Sequence, residues 1–142
     1  MFRVQIDQDG EIVGDSGWKE NQITNLGFNQ FLVSALGSIA GSKYVSHVAL
    51  GTGGAPGAAD TTLAGELGEA VRKAVTAATS SSSKALQLTA TFASADSFVT
   101  ANRNISNIGL FNSSAAGTLF AGNTFASSTV ATNQAVNASY VV

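Results

Sequence analysis

Short stretches in which apolar and polar residues strictly alternate set the tightest limit on how this chain can fold. Leu86, Leu88, Ala90 and Phe92 alternate with Gln87, Thr89 and Thr91, and Phe2, Val4 and Ile6 alternate with Arg3 and Gln5. A period of two sends successive side chains to opposite faces of a strand, so one face is buried and the other wet. Asp7, Gln8, Asp9 and Gly10 then supply turn residues ahead of Ile12 and Val13, which makes an opening β-hairpin. Residues 44–50, 71–75, 105–111, 119–125 and 135–142 read as further strands, the 71–75 strand pairing with the Leu86 strand. Residues 79–83, 112–117 and 127–133 read as tips and loops.

One segment has a different rhythm. Leu26, Phe28, Phe31, Leu32, Ala35, Leu36 and Ile39 recur at helical spacing, with Thr24 or Asn25 placed to cap and Gly37 or Gly41 placed to stop. Its apolar face is expected to join the core. A second, short helical turn is expected from Asp60 to Leu67, after the glycine-rich loop at Gly51, Gly53 and Gly54 that holds Pro56, the only proline. About seven or eight short strands with one helix predict an all-β, jelly-roll-like β-sandwich with one short helix near the N-terminus. A chain of 142 residues is the size of one domain. Residues 1–142 are accordingly read as a single sandwich, with the hairpin 1–20 as an extended contact arm.

Charge narrows the function. Only 11% of residues are charged, against about 25% in ordinary domains. Disorder does not explain the deficit, because disordered chains are poor in aromatics and this one has eight Phe, two Tyr and one Trp. After Arg103 there is no Asp, Glu, Lys or Arg as far as Val142. A neutral stretch of that length in a small protein reads as surface made for protein contact. The basic residues Arg3, Lys19, Lys43, Arg72, Lys73, Lys84 and Arg103 are scattered, whereas phosphate binding calls for a basic cluster, so no nucleic-acid partner is expected. The stretch from Phe31 to Ala40 is too short to span a bilayer, and the N-terminus lacks a signal-peptide layout; no membrane partner is expected.

No arrangement for catalysis emerges. His47 is the only histidine and there is no cysteine, so a metal would need carboxylates for its remaining ligands. Asp7, Asp9 and Gly10 imitate part of a calcium loop, but Ser16 stands where the bidentate Glu belongs, and a hairpin turn is the simpler reading. The loop at Gly51–Gly54 lacks the Gly-Lys-Ser/Thr ending of a phosphate loop. The expectation is a protein that is not an enzyme and needs no cofactor or metal.

Three segments together resemble a group of small bacteriophage virion proteins of the tail-fibre-like, fibre or decoration type. They are Asn21-Gln22-Ile23-Thr24-Asn25-Leu26-Gly27; Val48-Ala49-Leu50-Gly51-Thr52-Gly53, followed by Asp60-Thr61-Thr62-Leu63, Glu66-Leu67 and Arg72; and Asn107-Ile108-Gly109-Leu110-Phe111-Asn112 with Gly117-Thr118-Leu119-Phe120-Ala121. Asn107 stands where that group commonly has an acidic residue. The resemblance implies a β-sandwich, homotrimers and a place in the virion. The expected function is that of a capsid decoration, or cement, protein, synthesised in the bacterial host cytoplasm. It would bind the major capsid protein on the outer capsid surface and stabilise contacts between capsid subunits. The residues expected to make contacts are Phe2, Val4 and Ile6 of the hairpin, and Ile105, Ile108, Phe111, Val136, Tyr140 and Val142 of the neutral segment. The second reading is a tail or head fibre module that recognises a bacterial surface glycan through Trp18, Asn21 and Tyr44.

Overall fold

A computed structural model describes residues 1–68, 72–80 and 85–142. The chain is a β-sandwich of two five-stranded antiparallel sheets. Its strands are β1 (Phe2–Gln8), β2 (Glu11–Asp15), β3 (Gln22–Ile23), β4 (His47–Gly51), β5 (Lys73–Ala74), β6 (Thr76–Ser80), β7 (Ala85–Phe92), β8 (Arg103–Phe111), β9 (Leu119–Val130) and β10 (Ala135–Val141). The first sheet runs β2-β1-β10-β7-β6 and the second β3-β9-β8-β4-β5. Among the described residues the one helix longer than a single turn, α1 (25–36), lies between β3 and β4.

Period-two alternation builds the first sheet as expected. Phe2 sits opposite Tyr140, which sits opposite Leu88; Val4, Ala138 and Ala90 form the next row, and Ile6, Val136 and Phe92 the third. All nine side chains are buried. The Phe2 ring meets Tyr140 at 5.5 Å and Phe125 of the facing sheet at 6.2 Å, an edge-on contact. The β1–β2 turn places both Asp9 and Gly10 at positive φ, the backbone that matches the twist of a tight hairpin. Beside it, Arg3 pairs with Asp15 across the exposed face, and that guanidinium holds the Asp15 carboxyl well below the usual carboxylate range.

A lowered folded-state pKa means that the unfolded chain takes up a proton first as acid is added. Stability therefore falls as pH drops from about 4 downwards. We expect Asp15→Asn to flatten part of that acid slope in thermal melts between pH 5 and pH 2, an unchanged slope being the contrary result.

In the second sheet the alternation slips. A register shift between Ile105 and Asn107 changes the phase of β8, so that Ile105, Ile108 and Leu110 all join the main core. Gly109 and Phe111 point to the opposite face. There Phe111 forms a second small cluster with Ala49, Leu63 and Leu119. That outer face is covered by the loop after β4, which explains why β4 and β8 are buried on both sides.

The loop contains no helical turn at residues 60–67. Asp60 Oδ2 instead accepts from the Gly57 amide at 2.8 Å, Gly65 adopts positive φ, and Leu67 N donates to Leu50 O at 3.0 Å. Leu63 and Leu67 are each buried, but in different clusters, which one regular helical face would not allow. Strand β9 also runs on to Val130, through the start of the expected 127–133 loop, because 128–130 pair with 103–105 of β8. Tyr44 lies outside β4. The strand that begins at Val71 is found as β5 and β6, and β6 pairs with β7 and takes in Thr79 and Ser80 of the expected 79–83 tip; Val71 and residues 81–83 lie outside the described residues.

Helix α1 docks on β9 through its first turn. Thr24 Oγ1 accepts from Gly27 N at 2.9 Å and donates to Leu119 O at 2.7 Å, while Thr24 N donates to Phe120 O at 2.9 Å. Gly27 permits this approach, since a Cβ there would lie 2.0 Å from the Phe120 carbonyl oxygen. Gly27→Ala is expected to push the helix from the sheet at a cost of about 1–3 kcal/mol. Thermal melts check it, and an unchanged midpoint would show that the helix start shifts freely.

Beyond that turn, residues Phe28–Val33 wind as a π-helix before Ser34–Leu36 returns to α-helix. Hydrogen bonds from i to i+5 widen the turn and rotate later residues away from where a 3.6-residue period would put them. Of the apolar helix positions expected in the core, Phe31 is buried, packing on Phe120 at 5.1 Å. Leu32 packs at the core's margin, whereas Phe28, Leu36 and Ile39 are exposed.

Candidate interaction surface

The contact residues expected from the sequence are not surface residues. Phe2, Val4, Ile6, Val136 and Tyr140 form the inner face of the first sheet, and Ile105 and Ile108 that of the second. The Tyr140 hydroxyl is 3.5 Å from Ile108 O across the sandwich, and burial pushes its pKa upwards. Phe111 is enclosed in the smaller cluster. Alternation marks a buried face without saying what buries it, and here the chain's own second sheet does. Of that set only Val142 is exposed. The hairpin is likewise no arm: β1 is flanked by β2 and β10 inside the first sheet. The C-terminal strand β10 lies between β1 and β7, so it offers no free edge to a neighbour.

Exposed apolar surface gathers elsewhere. Leu36 is 90% exposed, Tyr44 77% and Phe28 57%, with Val33 and Ile39 also open to solvent. Of these, Tyr44 lines a groove of about 380 Å³ at the open mouth between the two sheets. Phe31, Leu88 and Phe120 form its buried depth, while Leu32 and Ala35 of α1, Tyr44, Ala77 of β6 and Val142 stand around it. Among the described residues the one cationic side chain lining it is Lys43, whose Nζ donates to Thr118 Oγ1 at 2.5 Å. Residues 21–42, which include all of α1, contain no charged side chain. This mouth was hidden from sequence reasoning because its helix residues were assigned to the core.

The three residues of the glycan reading are not brought together in either apolar groove near the C-terminus. Tyr44 lines the mouth, and Asn21 lines a neighbouring groove with Met1, Glu20 and Val142. Trp18, 46% exposed, lines neither.

The remaining polar residues that the sequence singles out have structural partners. Arg72 is buried, with its guanidinium 3.4 Å from the Phe111 ring centroid. It donates to both carboxylate oxygens of Glu66, at 2.7 and 3.0 Å, and to the Ser113 and Ala116 carbonyls, tying two loops together. His47 Nδ1 lies 2.8 Å from Ser46 Oγ, and burial, helped by the Arg72 charge, lowers its pKa. The glycine-rich loop packs backbone against backbone: a Cβ on Gly53 would meet Ala64 O at 2.3 Å. Among the described residues no group of three or more His, Asp or Glu side chains could hold a metal ion, and no helix is long and apolar enough to cross a membrane.

The chain matches no protein-family model, no curated protein and no solved structure.

Proposed function

We propose that this chain is a structural subunit of a bacteriophage particle, acting as a decoration protein that packs against the major capsid protein on the outer shell and against its own copies. The observation that carries the reading is the largely apolar mouth formed by α1, Tyr44, Ala77 and Val142, with Lys43 beside it. Contiguous apolar surface of this kind marks a protein contact, and covering it is favourable by about 25 cal/mol per Å². The resemblance of the Asn21–Gly27, Val48–Gly53 and Asn107–Asn112 segments to phage virion proteins supports the particle as the place of that contact. A subunit that binds only the assembled shell stabilises it by mass action.

The test is genetic and physical. Particles made with the gene deleted are compared with complete ones for the temperature at which they release their nucleic acid. Release at lower temperature, restored by adding the purified protein, is the expected result. Identical release curves would overturn the cementing role, and loss of adsorption to cells without loss of particle stability would favour the fibre reading.

A further inference from the structure

We propose that the mouth is closed by a second copy of this chain, with β6 of each copy pairing antiparallel across a two-fold axis. The inference rests on the structural-subunit reading and names one of its partners.

The four sheet edges are unequal. β3 and β5 are two residues long, and β2 carries Glu11 and Asp15. Short length and charge are the usual protections against strand addition. β6 has neither: Thr76-Ala77-Ala78-Thr79-Ser80 is five residues long and uncharged, contains no proline, and among the described residues pairs with β7 alone. Residues 76–79 are exposed on both faces, although Ala77 borders the mouth. A row of backbone donors and acceptors thus runs beside an apolar opening.

An occupant must satisfy both features. A small apolar ligand could fill the groove, but it would leave the β6 edge unpaired. A second copy meets the requirement on each count, since it presents the same uncharged edge and the same apolar rim. Pairing a strand with its own copy in antiparallel sense is self-complementary and closes as a two-fold dimer. It sets two mouths face to face, so that each supplies the cover the other lacks. This stoichiometry differs from the trimer implied by the resemblance, and mass separates the two.

Light scattering behind a sizing column is expected to return twice the 14.3 kDa chain mass for the unaltered protein. Ala35→Asp, at an exposed side chain that lines the mouth, is expected to retain its circular dichroism spectrum and to weaken dimerisation by at least about tenfold. Ala77→Lys and Ala77→Glu should each run as single chains, and an equimolar mixture should recover the dimer, because a two-fold edge brings the opposite charges within reach. A single-chain or threefold mass for the unaltered protein overturns the proposal, as does an Ala35→Asp protein of unchanged dimer strength or a mixture that stays monomeric. Monomers that still bind particles would remove the dimer and leave the particle reading intact, whereas dimers that never bind particles would do the reverse.

Discussion

Replacing Phe2 with alanine is expected to lower the unfolding free energy by about 3–5 kcal/mol, the range for deleting a buried aromatic ring. Phe2 is fully buried, touches Tyr140 on the neighbouring strand and meets Phe125 across the sandwich, so its removal leaves a cavity that cannot collapse from one side alone. The companion measurement is Leu36→Ala, which under monomeric conditions should change stability by no more than about 0.5 kcal/mol. Urea unfolding of the two variants separates core from surface directly. A Phe2→Ala protein as stable as the parent would return Phe2 to the contact surface that its sequence position first suggests.

The second large effect is expected at Asn107. This side chain is fully buried in β8, and its Nδ2 donates to Gly54 O at 3.0 Å and Ala64 O at 2.8 Å. One amide group therefore fastens both limbs of the loop over the second sheet. Gly51 leaves the room for it: a Cβ at that position would lie 2.3 Å from Asn107 Oδ1. Asn107→Asp replaces the donor with a group that is acceptor-only when ionised, facing two carbonyls in a dry site. The expected loss at neutral pH is about 3–5 kcal/mol, as for other uncompensated buried charges.

The sign of its pH dependence follows from burial, which raises the folded-state pKa of the introduced carboxyl above its unfolded value. The ionisation penalty is complete above the folded pKa and fades as pH falls toward the unfolded one. Part of the deficit persists in acid, since a protonated carboxyl can donate to only one of the two carbonyls. Unfolding curves for both proteins at pH 7 and pH 4 measure this. A deficit that widens in acid would show that the carboxylate finds a donor. The site is built around a donor, with Asn107 Nδ2 facing two carbonyls.

Much of the sandwich was legible because its first sheet obeys a strictly local rule. In β1, β7 and β10 every second residue is apolar, and the three rows from Phe2 to Phe92 follow once those strands are neighbours. The capping of α1 was legible for the same reason, since Thr24 acts on an amide three residues away. The candidate surface was not. The contact residues were chosen for being apolar in neutral segments, and that property is shared by a subunit interface and by a core. The mouth depends on where α1 and its π-turn come to lie against the sheets, and on β6 standing at an edge; neither has a signature in local spacing.

By itself the sequence determined the alternation that makes strands, the tight Asp9–Gly10 turn, the cap that starts α1 and the scarcity of charge, because each acts over a few residues or through composition alone. Only the tertiary structure decided which apolar faces meet one another, that β10 lies inside a sheet while β6 is left at its rim, that Asn107 and Arg72 hold loops instead of ligands, and that one end of α1 faces water. Those outcomes turn on strand order and helix winding. Both are set by pairings between residues far apart in the chain, where no local pattern reaches.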